Sequence, residues 1–534
     1  MRPNNTKSYF RCILLVMIAV VILTACNGNK STSSNETQSL VIAMSASNIP
    51  SPDTTPTEGY EGYRFVGHQL YDGLVGWDLT QGEQPADITA GLAESWETSE
   101  EDPTIWTFHL RENVTFHDGS PFNADSVVFA FDRISNPDSE FYNSSVAGGV
   151  LSYLKYVESY EKIDDYTFQI KTTEPYSFLP YDLTFILIPS TEAVKEYGED
   201  YVSHPSGTGP FKFVSMSQGE ELVMEKNESY WGEIPKVDQV ILKPMPDASS
   251  RLAGLQSGQV NWAEIPPTES IDQLKSSGFQ VLLNDYPHIW PYLLNLKEEP
   301  WNDVRVRQAA NYAIDRDALA NSLLNGVAKP ATQVLYEGHP WYNEEATQYT
   351  YDPEKAKELL KEAGYPNGFD TTFVVPTSGS GNMWPLEMNE FVQKNLKEVG
   401  INVEIEAIEW QTLITEYRAG FPDDREVGAY NISLAPIAPW VFDRYFATSS
   451  FIPNGSNIME YSNEELDEVI QKARETFDTV ERDQYLKEAG KIVADDAPWI
   501  FVVHDLNLRV LSENVKGFVQ PQSWFADLKT ISIE

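Results

Sequence analysis

The chain has almost no cysteine: of its 534 residues only Cys12 and Cys26 are cysteines, and both lie near the start. Residues 27–534 therefore offer no disulfide framework, no cysteine-ligated zinc and no thiol nucleophile. A chain of this length can bury a hydrophobic core large enough to stabilise an exported protein without disulfides. The scarcity of cysteine excludes the small disulfide-rich folds.

Basic residues are also scarce. The sequence has 38 lysines and arginines against 80 aspartates and glutamates, which gives a formal net charge of -42. A phosphate backbone would be repelled by this charge, so nucleic acid is not expected as a partner. Histidines are few and scattered, without His-x-x-His or His-Glu-x-x-His spacing, so we predict no protein-only metal site and no cofactor. The seven are His68, His109, His117, His204, His288, His339 and His504.

Motifs of covalent catalysis are missing as well. The sequence has no P-loop and no Gly-x-Ser-x-Gly, since Ser378-Gly379-Ser380-Gly381 has the wrong spacing and is typical of a loop. We therefore predict that the chain is not an enzyme. A glycosidase needs only two carboxylates across a cleft, so an exported glycoside hydrolase stays an alternative.

The N-terminus carries a targeting signal. Basic residues at Arg2, Lys7 and Arg11 precede an apolar run at 13–23, which is shorter than the roughly 20 residues that span a bilayer. Leu23-Thr24-Ala25-Cys26 resembles a bacterial lipobox, in which the cysteine receives the acyl chains that anchor a lipoprotein. We predict a signal peptide at 1–25, lipidation at Cys26, and a Ser-, Thr- and Asn-rich tether at 26–39. The predicted location is the outer face of the cell membrane, or the periplasmic side if the host has two membranes.

The remaining chain has the composition of packed cores. Hydrophobic residues make up 41% and aromatic residues 12%, and the length favours two or three domains. Strand patterns alternate with helix patterns, which predicts an α/β protein. The main predicted elements are a strand at 40–44, a hairpin of 106–110 with 114–116, a helix from Asp352-Pro353 to Gly364, strands at 371–375 and 401–408 around a helix that ends near Gly400, and a late strand at 500–503.

Several motifs, in order along the mature chain, resemble the family 5 extracellular solute-binding proteins, the peptide and nickel receptors of ABC importers. The first is Leu92-Ala93-Glu94-Ser95-Trp96. The others lie at 106–111, 114–119, 124–129, 207–211, 255–258, 303–309, 313–316, 352–356, 363–366 and 496–500. Agreement in order over this length is more specific than any single motif.

The resemblance implies a bilobal type II periplasmic-binding-protein fold that closes on its ligand about a hinge. Lobe I is expected at 40–70, 200–280 and 500–534. An extra domain is expected at 71–199, packed on lobe I. Lobe II is expected at 281–499, and the crossing segments are expected near Val281 and Ile500. The signature motifs lie mostly in the extra domain, where they are expected to shape the fold.

Peptide receptors of this family hold the ligand's α-ammonium with an aspartate, which is expected here at 438–440. No acid occupies those positions, and this departure leaves room for a blocked peptide, an opine, an oligosaccharide or a metal chelate. The residues expected to bind the ligand are Ser47, Asn48, Ile49, Tyr292, Trp384, Trp410, Trp440, Asp443 and Arg444. Aromatic faces would stack on the ligand, and Arg444 or Arg418 would pair with a carboxylate.

The resemblance predicts a lipid-anchored, monomeric receptor that captures a small solute, most simply an oligopeptide or dipeptide, and delivers it to an ABC permease. The open alternatives are a non-peptide ligand on the same scaffold, a solute sensor and an exported glycoside hydrolase. Binding needs no covalent step, because closure of the lobes shifts an existing equilibrium between open and closed states.

Overall fold

A computed structural model of the chain describes residues 37–534. The predicted signal peptide, Cys26 and nearly all of the predicted tether lie outside these described residues. Residues 38–534 form one unit, which contains two large mixed sheets and a smaller antiparallel sheet. This arrangement confirms the predicted α/β class.

The seven-stranded sheet is assembled from distant parts of the chain. Its strands, in spatial order, are Gln280–Leu282, Arg509–Leu511, Trp262–Glu264, Ser39–Met44, Gln239–Pro244, Glu221–Lys226 and Phe211–Ser217. Ser39–Met44 pairs in parallel with strands on both sides. Its run of apolar residues suits this central position, because a parallel strand is covered on both faces.

The six-stranded sheet comes from the second half of the chain. Its strands, in spatial order, are Ala328–Pro330, Trp499–Asp505, Trp290–Leu294, Ala429–Asn431, Phe369–Pro376 and Ile401–Ile408. The longer helices nearby are Val304–Tyr312, Pro353–Glu362, Pro385–Glu398, Trp410–Ala419, Glu464–Glu475 and Thr479–Asp496. Helices of eight or more residues elsewhere are Ala124–Ser135 and Ala248–Gln256.

The helix predicted from Asp352 to Gly364 is confirmed. Asp352 caps it, because its side chain accepts a hydrogen bond from the backbone N–H of Lys355, and Pro353 occupies the first turn. Gly364 follows the helix with a φ of 98°, a conformation that glycine adopts without strain. The strand predicted at 401–408 is also confirmed, with the same bounds.

The predicted hairpin of 106–110 with 114–116 is wrong. Ile105–Leu110 lies between Ala93–Thr98 and Thr167–Thr172 in a four-stranded antiparallel sheet that Val157–Asp164 completes. Residues 114–122 instead form a tight loop. The observed strand pairings are more favourable than the predicted hairpin, because they bury Trp106, Phe108 and Leu110 on one face of the sheet. A three-residue partner strand could not cover these side chains.

The chain passes from one large sheet to the other in two places. One passage lies between Gln280–Leu282 and Trp290–Leu294, close to the crossing predicted near Val281. The other lies between Trp499–Asp505 and Arg509–Leu511. The strand pairing therefore favours a second crossing at 506–508 rather than near Ile500, and the lobe boundaries stay a prediction.

A buried ion network holds the seven-stranded sheet to the segment that follows its first strand. Glu264 pairs with Arg64 and, at 3.2 Å, with Arg509, and it accepts a hydrogen bond from the Trp262 indole at 2.6 Å. The side chains of Arg64, Glu264 and Arg509 are all buried. Arg64 also donates to the backbone carbonyl of Trp524, which brings in the C-terminal segment.

Glu264→Ala is expected to lower the free energy of unfolding by about 3–5 kcal/mol, because it strands two buried arginines without their counter-charge. Urea unfolding followed by circular dichroism measures the change. Lys357→Ala breaks an exposed pair with Glu354 and serves as the control, with little expected change. A Glu264→Ala protein as stable as this control would contradict the role assigned to the network.

Candidate ligand-binding site

Five aromatic side chains from short helices and loops pack against one another. We call Tyr60, Tyr153, Phe185, Trp440 and Trp524 the aromatic cluster. Tyr153 stacks on Phe185 with ring centroids 4.5 Å apart, and the Trp440 ring lies 5.8 Å from that of Tyr153. Tyr60 lies 5.6 Å from Phe185 and 6.2 Å from Trp524. The cluster thus joins side chains from both ends and the middle of the chain.

Arg444 lies against this cluster. It is on the short helix Val441–Phe446, one turn after Trp440, and its guanidinium carbon is 4.4 Å from the Tyr153 ring centroid and 5.5 Å from that of Trp440. Such positions favour a cation electrostatically. Within residues 37–534, Arg444 forms no ion pair with a carboxylate, so its charge is open to an anion from outside.

The protonation state of Arg444 follows from its surroundings. Burial acts to lower its pKa, but neighbouring phenol groups act more strongly in the opposite direction, and the pKa is raised. Those groups belong to Tyr153, Tyr445, Tyr60 and Tyr417. The guanidinium therefore stays positively charged at every physiological pH.

Asp443 is the next residue along the same helix, but it faces a different set of partners. Its carboxylate accepts hydrogen bonds from Arg474 at 2.6 Å and from the Tyr156 hydroxyl at 3.0 Å, and the Lys155 ammonium lies 3.8 Å away. Arg474 also pairs with Glu174 at 2.8 Å. These contacts, which we call the Asp443 ion cluster, occupy the carboxylate and join 155–174 to the helices around the six-stranded sheet.

The loop after the first strand reaches the opposite side of the site. The Ser47 hydroxyl lies 3.4 Å from that of Ser378, and the Asn48 amide donates to Glu58 at 3.2 Å. Gln411, on the helix Trp410–Ala419, donates to the same oxygen of Glu58 at 2.9 Å. Ser47 and Asn48 are exposed, whereas Ile49 is buried in the core. Loops from both large sheets therefore face one another here.

The other aromatic residues predicted for the site lie outside the aromatic cluster. Trp410 is buried, and its ring packs directly on Gly379, where an added Cβ would lie 2.4 Å from the ring. Trp384 is half-buried just before the helix Pro385–Glu398. Tyr292 is 1% exposed in the six-stranded sheet, and its hydroxyl donates to Asn389. The structure thus brings Trp440 and Arg444 together, and Tyr292 packs within the sheet.

Sequence reasoning missed Tyr60, Tyr153 and Glu58. Tyr153 lies in the segment that was expected only to shape the fold, and no local pattern connects it with Trp440. Tyr60 and Glu58 follow three closely spaced prolines, Pro50, Pro52 and Pro56, and neither was among the residues expected to bind the ligand. The Glu58-Gly59 pair, with φ values of 65° and 62°, is a turn that the sequence does hint at through its glycine.

Across residues 37–534, none of the helices combines the length and the apolar character that a membrane span requires.

Comparison with known proteins gives consistent matches. The family model described as bacterial extracellular solute-binding proteins, family 5 Middle, matches residues 87–457. The chain is 31% identical over 561 residues to heme-binding protein A of Haemophilus influenzae, which covers 98% of this chain and 99% of that protein. It is 31% identical over 490 residues to the dipeptide-binding protein of Escherichia coli, covering 87% of this chain and 89% of that protein.

A solved structure is also similar. It is the periplasmic binding protein DppA of Helicobacter pylori in complex with the peptide STSA, with a TM-score of 0.82 and 26% identity. The similarity covers 93% of this chain and 98% of that one. This agreement supports the predicted bilobal architecture over nearly the whole length.

Arg474→Met is expected to loosen the contact between 155–174 and the helix Val441–Phe446, because it leaves the buried Asp443 carboxylate without its closest cation. Hydrogen–deuterium exchange should show faster exchange in both segments. Lys491→Met breaks a half-buried pair with Asp495, away from the Asp443 ion cluster, and is the control. Unchanged exchange in the Arg474 variant would show that the Asp443 ion cluster does not hold these parts together.

Proposed function

The chain belongs to the bacterial extracellular solute-binding proteins of family 5, which are receptors for ABC importers, and on this premise we propose that it captures an oligopeptide or dipeptide and delivers it to an ABC permease. One observation carries the choice of site: Arg444, which forms no ion pair with a carboxylate within residues 37–534, lies against the aromatic cluster. Capture of this kind requires burial of the ligand and no covalent step.

The chemistry of the site suits a ligand that carries a carboxylate and whose remaining part is partly apolar. A guanidinium offers two parallel N–H groups to a carboxylate, and phenol and indole faces accept either a peptide backbone or its side chains. Relatives with similar identity are named for different ligands, a heme and a dipeptide, so the proposal rests on the site rather than on the family alone.

A non-peptide ligand is the second candidate, and one observation favours it. Residues 438–440 carry no acid, and both Ala438 and Trp440 are buried. A ligand held by Arg444 and aromatic stacking alone would need no free amino group. An opine, an oligosaccharide or a nickel chelate would satisfy this arrangement. A sensor or a hydrolase would use the same pocket, and a turnover assay separates the hydrolase from the receptor.

We further propose that capture uses a hinge formed by the two passages between the large sheets, at 283–289 and 506–508. The first lobe then comprises 40–70, 200–280 and the C-terminal residues after the second passage, with 71–199 packed on it. The second lobe comprises the residues between the passages. Contacts such as those between Glu58 and Gln411 would form on closure and stabilise the ligand-bound state.

The ligand itself is best identified by native mass spectrometry of the chain from residue 27 onward, as purified and after unfolding and refolding. A released mass that matches a peptide supports the first candidate. A saccharide, opine or chelate mass replaces it with the second.

Arg444→Gln is expected to weaken binding of a carboxylate-bearing peptide by roughly 10- to 100-fold, because it removes a charged hydrogen-bond donor from a buried site. Isothermal titration calorimetry measures the affinity. Arg305→Gln, which removes an exposed arginine at the start of the helix Val304–Tyr312, should leave it unchanged. Equal losses in both variants would point to bulk charge rather than to a contact with the ligand.

Anchoring through lipid on Cys26 gives a separate prediction. Cys26→Ser should remove the acylation site, so the protein should move from the detergent phase to the aqueous phase in a Triton X-114 partition of producing cells. Cys12→Ser lies in the predicted signal peptide and is the control. Retention of the Cys26 variant in the detergent phase would overturn the proposed anchor.

A further inference from the structure

Glu58 is a buried carboxylate at the edge of the site. It is 3% exposed and adopts a left-handed backbone conformation that turns the chain into the short helix Gly59–Gly62. Tyr60 of the aromatic cluster follows two residues later. A glutamate in this conformation is uncommon, so the turn holds the carboxylate at a defined place between the loop after the first strand and the helix Trp410–Ala419.

The two oxygens of Glu58 are used unequally. Oε1 accepts both amide hydrogen bonds, from Asn48 at 3.2 Å and from Gln411 at 2.9 Å. Within residues 37–534 no donor reaches Oε2 within hydrogen-bond distance, and no lysine, arginine or histidine pairs with Glu58. An ionised carboxylate accepts about four hydrogen bonds, so one oxygen keeps its full capacity.

The charged groups close to Glu58 are also carboxylates. Burial raises its pKa to about 6, and the nearby carboxylates of Glu61 and Glu409 act in the same direction, against the two amide donors. Glu61 belongs to the same short helix and is satisfied by the backbone N–H and hydroxyl of Ser45, both at 2.9 Å. Glu409 caps the helix Trp410–Ala419 from its exposed position. A buried acid in acidic surroundings is stabilised by an external cation.

We propose that Glu58 binds the amino group of the ligand, from the first lobe, in the role that an acid at 438–440 would otherwise have. The inference rests on the proposed peptide-binding function and specifies its ligand. In this site Glu58 supplies one negative group and Arg444 supplies one positive group. Tyr60, two residues after Glu58, belongs to the aromatic cluster against which Arg444 lies. The site is thus built for a zwitterion, a short peptide with a free amino terminus and a free carboxylate.

The competing explanation is that Glu58 only bridges the lobes through Gln411. A bridge would matter equally for every ligand that requires closure. An amino-group contact would matter only for ligands that carry a free ammonium. The two roles therefore differ in how a variant responds to N-acetylation of the ligand.

The test uses calorimetric titration of the chain from residue 27 onward with Ala-Phe, Ala-Phe-Ala and Ala-Phe-Ala-Ala, each with a free or an acetylated amino terminus. The wild type should bind the free forms at least about 10-fold more tightly. Glu58→Gln should lose that preference, mainly by weaker binding of the free forms. Glu409→Gln removes a neighbouring negative charge and should keep the preference.

The pH profile gives a second readout. The free ammonium pairs with ionised Glu58, so affinity for the free forms should rise as pH rises through about 6 in the wild type and stay flat in Glu58→Gln. Glu61 and Glu409 are present in both proteins and cancel in this comparison.

The outcomes separate the two proposals. If no peptide binds the wild type, peptide capture fails and the role of Glu58 fails with it. If peptides bind but acetylation makes no difference, or Glu58→Gln weakens both forms equally, the amino-group contact alone is overturned. Circular dichroism of Glu58→Gln confirms that any loss of affinity comes from a folded protein.

Discussion

The pairing of Glu264 with two buried arginines underlies the geometry of the site. Arg64 binds Glu264 and also donates to the Trp524 carbonyl at 2.6 Å, with its guanidinium 4.5 Å from the Trp524 ring. Tyr60 lies one helical turn before Arg64. One carboxylate therefore positions two members of the aromatic cluster, which come from opposite ends of the chain. A buried charge accepts few alternative arrangements, so the network also makes their relative position well defined.

Asp443 and Arg444 are adjacent in the chain, but their side chains contact different groups and have different structural roles. Successive side chains on a helix point about 100° apart, so the two charges of Val441–Phe446 face different neighbours. The carboxylate is consumed by Arg474 and Tyr156, whereas the guanidinium lies against the rings of Tyr153 and Trp440. The pair does not neutralise itself. The helix thus joins the segment at 155–174 to the helices around the six-stranded sheet, while Arg444 lies against the aromatic cluster.

The helix and the strand that were predicted from local sequence patterns are confirmed, whereas the predicted strand pairing is wrong. The helix between Asp352 and Gly364 is specified by its own cap, proline and glycine, and the strand Ile401–Ile408 by its alternation. The hairpin at 106–116 failed because strand pairing is decided by partners elsewhere in the chain. In the candidate site, Trp440 and Arg444 were among the residues expected to bind the ligand. Tyr60 and Tyr153 were not, because nothing in their neighbourhood reveals that Tyr153 meets Trp440 about 290 residues away or that Tyr60 meets Trp524 about 460 residues away.

By itself the sequence determined the α/β class, the family resemblance and the lack of an acid at 438–440. Each of these features can be recognised from the order of residues along the chain, without knowledge of tertiary contacts. Only the tertiary structure decided which charges are satisfied: within residues 37–534, Asp443 is paired, Arg444 forms no ion pair, and Glu58 is buried between loops of both large sheets with one oxygen in use. Charge compensation depends on residues that folding brings within a few ångströms, and the order of residues along a chain does not contain those distances.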